Sequence, residues 1–169
     1  MTFDPASIRI APLDRSHDRQ SFDCGEESLD RYLRERARQD SERGIARIFV
    51  ATTVERPEAV AGYYALSAAL VGAASLSPDM QRRMPRHGVP AALVGRLAVD
   101  RRHAGLGLGS ILLADAVLKT DLASQSLGIA VIVVDPLGAA ARGFYRSFGF
   151  VDAVGSAQMY LVRKVGGPS

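Results

Sequence analysis

The stretch "GRLAVDRRHAGLGLGSILLADAV", Gly95 to Val117, joins a strand-like run to a helix-like run through glycines at three alternate positions, Gly105, Gly107 and Gly109. This order constrains the fold more than any other feature, because it sets a helix N-terminus at the end of a sheet strand. The first turn of a helix has unpaired N–H groups and the positive end of the helix dipole. Glycine adds the backbone freedom that lets an anion come close. The stretch therefore reads as a phosphate site, of which three kinds compete. A P-loop ends in Gly-Lys-Ser/Thr, and this stretch has no lysine. The dinucleotide pattern Gly-x-Gly-x-x-Gly fails, since its last position falls on Ser110 when counted from Gly105 and on Leu112 when counted from Gly107. The third pattern, Arg/Gln-x-x-Gly-x-Gly/Ala, is met by Arg102-His103-Ala104-Gly105-Leu106-Gly107.

The flanking sequence predicts an α+β domain. "SIRIAPL" (Ser7 to Leu13) reads as a first strand. "CGEESLDRYLRERARQD" reads as one helix, with Glu26 and Glu27 in its first turn and Leu29, Tyr32, Leu33 and Ala37 on one face. Arg31, Arg34 and Arg38 share another face. "IARIFVATTV" and "EAVAGYYALS" flank the turn "ERPE" as a hairpin. A loop with Pro78, Pro85 and Pro90 leads to the strand "ALVGRLAVD". From Ser110 the pattern is helical, with Ile111, Ala114, Val117 and Leu118 as the buried face and Leu112 and Leu113 broadening it. "GIAVIVVDP" is a strand buried on both sides. "GAAARGFYRSFG" is a second helix stopped by Gly149, and "MYLVRKV" is a closing strand. One domain over residues 1–169 is expected, a mixed sheet with helices on both faces.

Composition excludes several classes. At 47% hydrophobic residues the chain can bury a core, and one cysteine, Cys24, rules out an internal disulfide. The uncharged run Ala59 to Leu76 is rich in Ala, Gly and Ser and reads as a strand with its small-residue continuation, not a membrane span. No leader pattern is evident, so a soluble cytoplasmic protein is expected. His17, His87 and His103 with the lone cysteine give no metal-ligand spacing, and no Gly-x-Ser-x-Gly elbow occurs. The net charge is +3, and 19 of the 21 basic residues are arginines. Arginine forks onto phosphates, but a GC-rich genome produces the same bias, and both readings stand.

In this context the loop resembles the pyrophosphate loop of the GNAT superfamily of N-acetyltransferases. The resemblance implies the GNAT fold, with a mostly antiparallel central sheet, and acetyl-coenzyme A as co-substrate without a metal. It places the coenzyme on Arg102, His103, Ala104, Gly105, Leu106, Gly107, Leu108, Gly109 and Ser110, with the pyrophosphate on the N–H groups of roughly His103 to Ser110. The backbone of Leu97, Ala98 and Val99 would hold the acetyl and pantetheine end, and Asp135 and Phe148 extend the set. Tyr145, in "GFYRSFGF", falls where the family keeps its tyrosine acid; the rival reading is a core tyrosine beside Phe144 and Phe148. Arg142 and Arg146 share its helix face. They suit a phosphate-bearing acceptor or ion pairs with Asp135 or Asp152.

The whole chain is similar to one branch of that superfamily, the toxins of bacterial toxin–antitoxin modules that acetylate aminoacyl-tRNA. "FDCGEESLDRYLRERARQD", "VAGYYALSAALV", "RRMPRHGVPAALVGRLAVDRRHAGLGLGSILLADAV" and "FYRSFGF" carry the likeness in order. Ala104 departs from it, since the branch often has Gln there. The resemblance implies charged tRNA as substrate, a homodimer and a ribbon-helix-helix antitoxin. Arg82, Arg83, Arg86, Arg96, Arg142 and Arg146 are then candidate RNA contacts. No Glu or His stands out as a base, which suits an α-amino acceptor with pKa near 7.7–8.0 over a lysine near 10.4. Two rivals remain: an acetyltransferase for a small amine or a protein N-terminus, and a binding module that keeps the fold without the chemistry.

Overall fold

The computed structural model describes residues 4–164. In chain order they form β1 (Ile8–Pro12), α1 (Glu27–Arg31), a π-helical turn (Tyr32–Arg36), α2 (Ala37–Glu42), β2 (Arg47–Thr53), β3 (Gly62–Val71), α3 (Pro78–Gln81), β4 (Val89–Val99), α4 (Leu108–Ala123), β5 (Val131–Val134), α5 (Gly138–Ser147), β6 (Val151–Asp152) and β7 (Met159–Val162). The strands make a seven-stranded sheet in the order β1-β2-β3-β4-β5-β7-β6. The β1–β2, β2–β3, β5–β7 and β6–β7 pairs are antiparallel, and β4–β5 is parallel. A parallel pair needs a crossover, which α4 supplies. The mixed, mostly antiparallel sheet expected from the sequence is the one that forms.

Two compact units divide the chain, the first made of the chain up to Ser67 with Arg96–Leu118. Its part of the sheet is covered on both faces. Along β3, Tyr63 and Ala65 pack with Leu33 and Ala37. Tyr64 instead donates to the Asp115 carboxylate on α4 at 2.6 Å. A Cβ on Gly62 would lie 2.8 Å from Leu112 and 2.9 Å from the Ala98 carbonyl, so only glycine lets α4 seat there. Successive strand residues point to opposite faces, so the α1–α2 segment covers one face and α4 the other.

The single helix predicted from Cys24 to Asp40 is interrupted. At the π-turn the Ala37 N–H reaches back to the Tyr32 carbonyl. The Leu33 and Arg34 carbonyls accept instead from the Arg19 guanidinium, at 3.4 and 2.9 Å. A residue outside the helix thus stabilises the extra turn, which no periodicity within the helix could reveal. The buried face predicted for α4 is also corrected. Leu108, Leu112, Leu113 and Ala116 are buried, while Ala114 and Leu118 are exposed. This helix is apolar on nearly every side, so its pattern does not single out a face. It also begins two residues before Ser110.

The second unit comprises Ala68–Gly95 and the chain from Lys119 onward. All four β5 residues are buried, as the continuous apolar run predicts, and each contributes about 1.5–3 kcal/mol by leaving water. Val131 and Val133 pack with Val89, Leu76 and Tyr160. The Tyr160 hydroxyl accepts the Ser77 N–H at 2.9 Å, tying the proline-bearing loop to β7. Helix α5 stops where predicted, with Gly149 at φ +94°. The short edge strand β6 had no clear sequence signal.

Candidate active site

At the end of β4 the chain makes a 3₁₀ turn at Arg101–His103 and then passes Gly105 at φ +74° and Gly107 at φ +88° into α4. Nothing lies within 4 Å of a Cβ at either glycine, so both are required by backbone angle, not by crowding. Gly109 differs, lying inside the first turn of α4. The helix is first closed by Ile111 N–H to the Gly107 carbonyl at 3.3 Å. The N–H groups of Leu108, Gly109 and Ser110 are therefore open at its N-terminus, the arrangement an oxyanion requires. The expected set narrows at its other end. The His103 and Ala104 N–H groups donate to the Asp100 and Arg101 carbonyls, at 2.9 and 3.2 Å. The 3₁₀ turn uses them, and the open donors begin after Ala104.

Asp100, which carried no assigned role in the sequence, holds this turn. Its carboxylate is 1% exposed and accepts from the Arg102 N–H (2.9 Å), from the Asp23 N–H (3.1 Å), and from the Arg102 guanidinium twice (2.8 and 3.0 Å). Burial alone would raise the Asp100 pKa, but the hydrogen bonds from Arg102 and Asp23 outweigh it and hold the carboxyl below its ordinary range. The Arg102 side chain thus lies on Asp100. The sequence signal was an Asp at a strand end with Arg two residues on, which is an N-cap pattern.

Before the turn, β4 pairs with β5 from Ala91 to Val94 and then runs on to Val99. The backbone of Leu97, Ala98 and Val99 therefore lies beyond the described β4–β5 ladder.

In the second unit, Tyr145 sits on α5, 5% exposed, with its ring edge-on to Phe144 and Phe150 at 5.2 and 5.6 Å. The core-packing reading is therefore right for the ring. The hydroxyl is different: among the described residues it makes no hydrogen bond. Burial, aided by the Asp135 charge, pushes its pKa up to about 12, so it is a protonated donor at neutral pH. Asp135 is exposed and accepts from Gln158 at 2.9 Å. Phe148 caps α5, 41% exposed, edge-on to Phe144.

The arginines separate into groups. Arg142 and Arg146 both bind Asp152, at 2.8 and 3.0 Å, so of the two ion-pair partners weighed it is Asp152 that they meet. Arg82 and Arg83 approach Asp79 at 3.5 and 3.7 Å. Arg31 and Arg34 share Glu27, and Arg38 pairs with Glu42. Arg86 is exposed. Arg96 lies over the Tyr32 ring, 3.7 Å from its centroid. No described helix is long and apolar enough to cross a membrane.

A model of the acetyltransferase (GNAT) family matches residues 21–150. A tRNA-acetylating toxin of Mycobacterium tuberculosis is 44% identical over 145 residues, covering 86% of this chain and 83% of that protein. The solved structure of AtaT complexed with acetyl-methionyl-tRNAfMet has a TM-score of 0.85 at 32% identity, over 92% of this chain and 94% of that one. A tyrosine-to-phenylalanine mutant of AtaT, bound to the C-terminus of the antitoxin AtaR and to acetyl-CoA, gives 0.79 at 29% identity, over 92% and 93%. Open backbone N–H groups at a helix N-terminus, a protonated buried tyrosine and these likenesses lead to one conclusion: the chain belongs to the acetyltransferase (GNAT) family.

Proposed function

We propose that this protein is the toxin of a toxin–antitoxin pair, transferring acetyl from acetyl-coenzyme A to the α-amino group of an amino acid esterified to tRNA. The observation that carries the reading is the 44% identity, over most of both chains, to a tRNA-acetylating toxin. The open N–H groups from Gly105 to Ser110 would hold the pyrophosphate, and the backbone of Leu97 to Val99 would receive the thioester and its developing oxyanion. The amine nitrogen attacks the thioester carbon; a C–N bond forms and the C–S bond breaks. The amine's proton goes to solvent, the leaving thiolate takes the proton of the Tyr145 hydroxyl, which makes no hydrogen bond to a described residue, and solvent returns a proton to the tyrosinate. An α-amine with pKa near 8 is already partly free at neutral pH, so no strong base is needed. An acetylated amine cannot form a peptide bond, so translation stops. We further read the protein as a cytoplasmic homodimer restrained by a ribbon-helix-helix antitoxin. The AtaT complex with AtaR supports the antitoxin part of this reading.

The test incubates the protein with labelled acetyl-coenzyme A and either total charged tRNA or the same tRNA deacylated. Label should enter only the charged sample and leave when the ester is hydrolysed. Label on neither, with rapid transfer to polyamines or peptides, would return the protein to the small-amine reading.

A further inference from the structure

Among the described residues five arginines are partly buried: Arg19, Arg34, Arg96, Arg142 and Arg163. Four of them donate to fixed oxygens. Arg19 reaches the Leu33 and Arg34 carbonyls, Arg34 the Glu27 carboxylate, Arg142 Asp152, and Arg163 Asp121. Arg96 does not. It makes no ion pair and no hydrogen bond with any described residue, and its recorded contact is the face of Tyr32. A cation partly withdrawn from water without a counter-charge carries a desolvation cost, and a ring face compensates only part of it.

The platform beneath Arg96 is built. Tyr32 opens the π-turn, donates its hydroxyl to the buried Asp40 at 2.9 Å and stacks on Tyr63 at 6.5 Å. Tyr63 is tied to the Leu29 carbonyl at 2.7 Å. Arg96 is therefore backed on one side by the ring, and its N–H donors make no hydrogen bond to a described residue. It directly precedes Leu97–Val99 on β4, and shares a strand face with Ala98.

We propose that Arg96 is a specificity-determining residue that takes the phosphate of the acceptor's terminal nucleotide. This rests on the reading of the acceptor as an aminoacyl ester of tRNA. That phosphate is joined through the ribose and the ester to the amine that must reach the thioester. A planar fork backed by an aromatic ring suits a phosphate better than a lysine would. Binding supplies the missing counter-charge, so the acceptor completes the site.

The experiment uses two minimal acceptors: an amino acid esterified to adenosine, and the same ester carrying a 5′-phosphate. Wild type should prefer the phosphorylated ester by about 10- to 100-fold in kcat/KM. Arg96→Gln should lose that preference while keeping its KM for acetyl-coenzyme A and its thermal shift with the coenzyme, which also shows that it is folded. Arg96→Lys should keep part of the preference, through charge without the fork. A preference that persists in Arg96→Gln, or a raised KM for acetyl-coenzyme A, overturns the assignment of Arg96. Equal loss on both esters would reduce Arg96 to a packing residue and equally overturn it. Transfer by wild type to neither ester nor to charged tRNA overturns the underlying reading instead.

Discussion

In the proposed reaction the loop after β4 and the end of α5 would contribute to the chemistry in opposite ways. From Gly105 to Ser110 the proposed functional groups are backbone N–H donors, and Gly105 and Gly107 serve them through the φ angles they permit. At Tyr145 the backbone is ordinary helix and the functional group is a single hydroxyl on a packed ring. A site of the first kind tolerates many side chains but few conformations. A site of the second kind tolerates no loss of one atom, yet its packing survives that loss. Coenzyme binding and acetyl transfer should therefore be separable by mutation.

The largest expected effect tests the tyrosine side. Tyr145→Phe keeps the ring and its edge-on contacts, so stability and coenzyme affinity should hold while turnover falls about 10²–10⁴-fold. Steady-state kinetics beside a coenzyme titration check this, and a matching loss of affinity would erase the contrast. On the loop side, Gly107→Glu puts a side chain at φ +88° and a negative charge where the anion binds. Wild type in acetyl-coenzyme A at about 100 times its dissociation constant should gain roughly 2.7 kcal/mol of stability. The mutant should gain none, as read by thermal melting. Asp100→Asn sharpens the comparison, because the carboxylate is buried and its oxygens accept from Arg102 and Asp23. It replaces one accepting oxygen with a donor inside a cluster of N–H groups, so stability should fall by about 2 kcal/mol. The KM for acetyl-coenzyme A should rise while the acetyl-transfer step measured at saturation is unchanged.

The smallest effect is the pH profile. The acceptor amine must lose a proton, so the rate should rise through about pH 8. Tyr145 must keep its proton, and with a pKa near 12 it does so throughout the ascent. Rates over roughly pH 6 to 10 should therefore show one rising limb and no fall. A descending limb near the ordinary tyrosine pKa of about 10 would mean that burial does not protect the phenol.

How far each part was legible follows the same division. The conformation of the proposed coenzyme loop could be read because its requirements are local: two left-handed glycines, a strand before them and a helix after. Tyr145 was singled out by the motif around it, but that its hydroxyl makes no hydrogen bond among the described residues could not be foreseen, since that depends on every neighbour. The paired arginines were harder still. A face with Arg31, Arg34 and Arg38 reads as uniformly basic until Glu27 and Glu42 are seen to meet it.

By itself the sequence determined the mixed sheet, the hairpin, the glycine turn into α4 and the stop of α5 at Gly149, because each follows from residues adjacent in the chain or repeating at a strand or helix period. Only the tertiary structure decided the rest. Arg19 stabilises a π-turn more than ten residues away, and Asp23 donates to Asp100 across the chain. Gly62 makes room for α4, selecting Leu108 and Leu112 as its inner face from a helix apolar on nearly every side. Arg96 finds a ring in place of a carboxylate. These are pairings between distant residues, and their energies exist only once the sheet has brought the partners together.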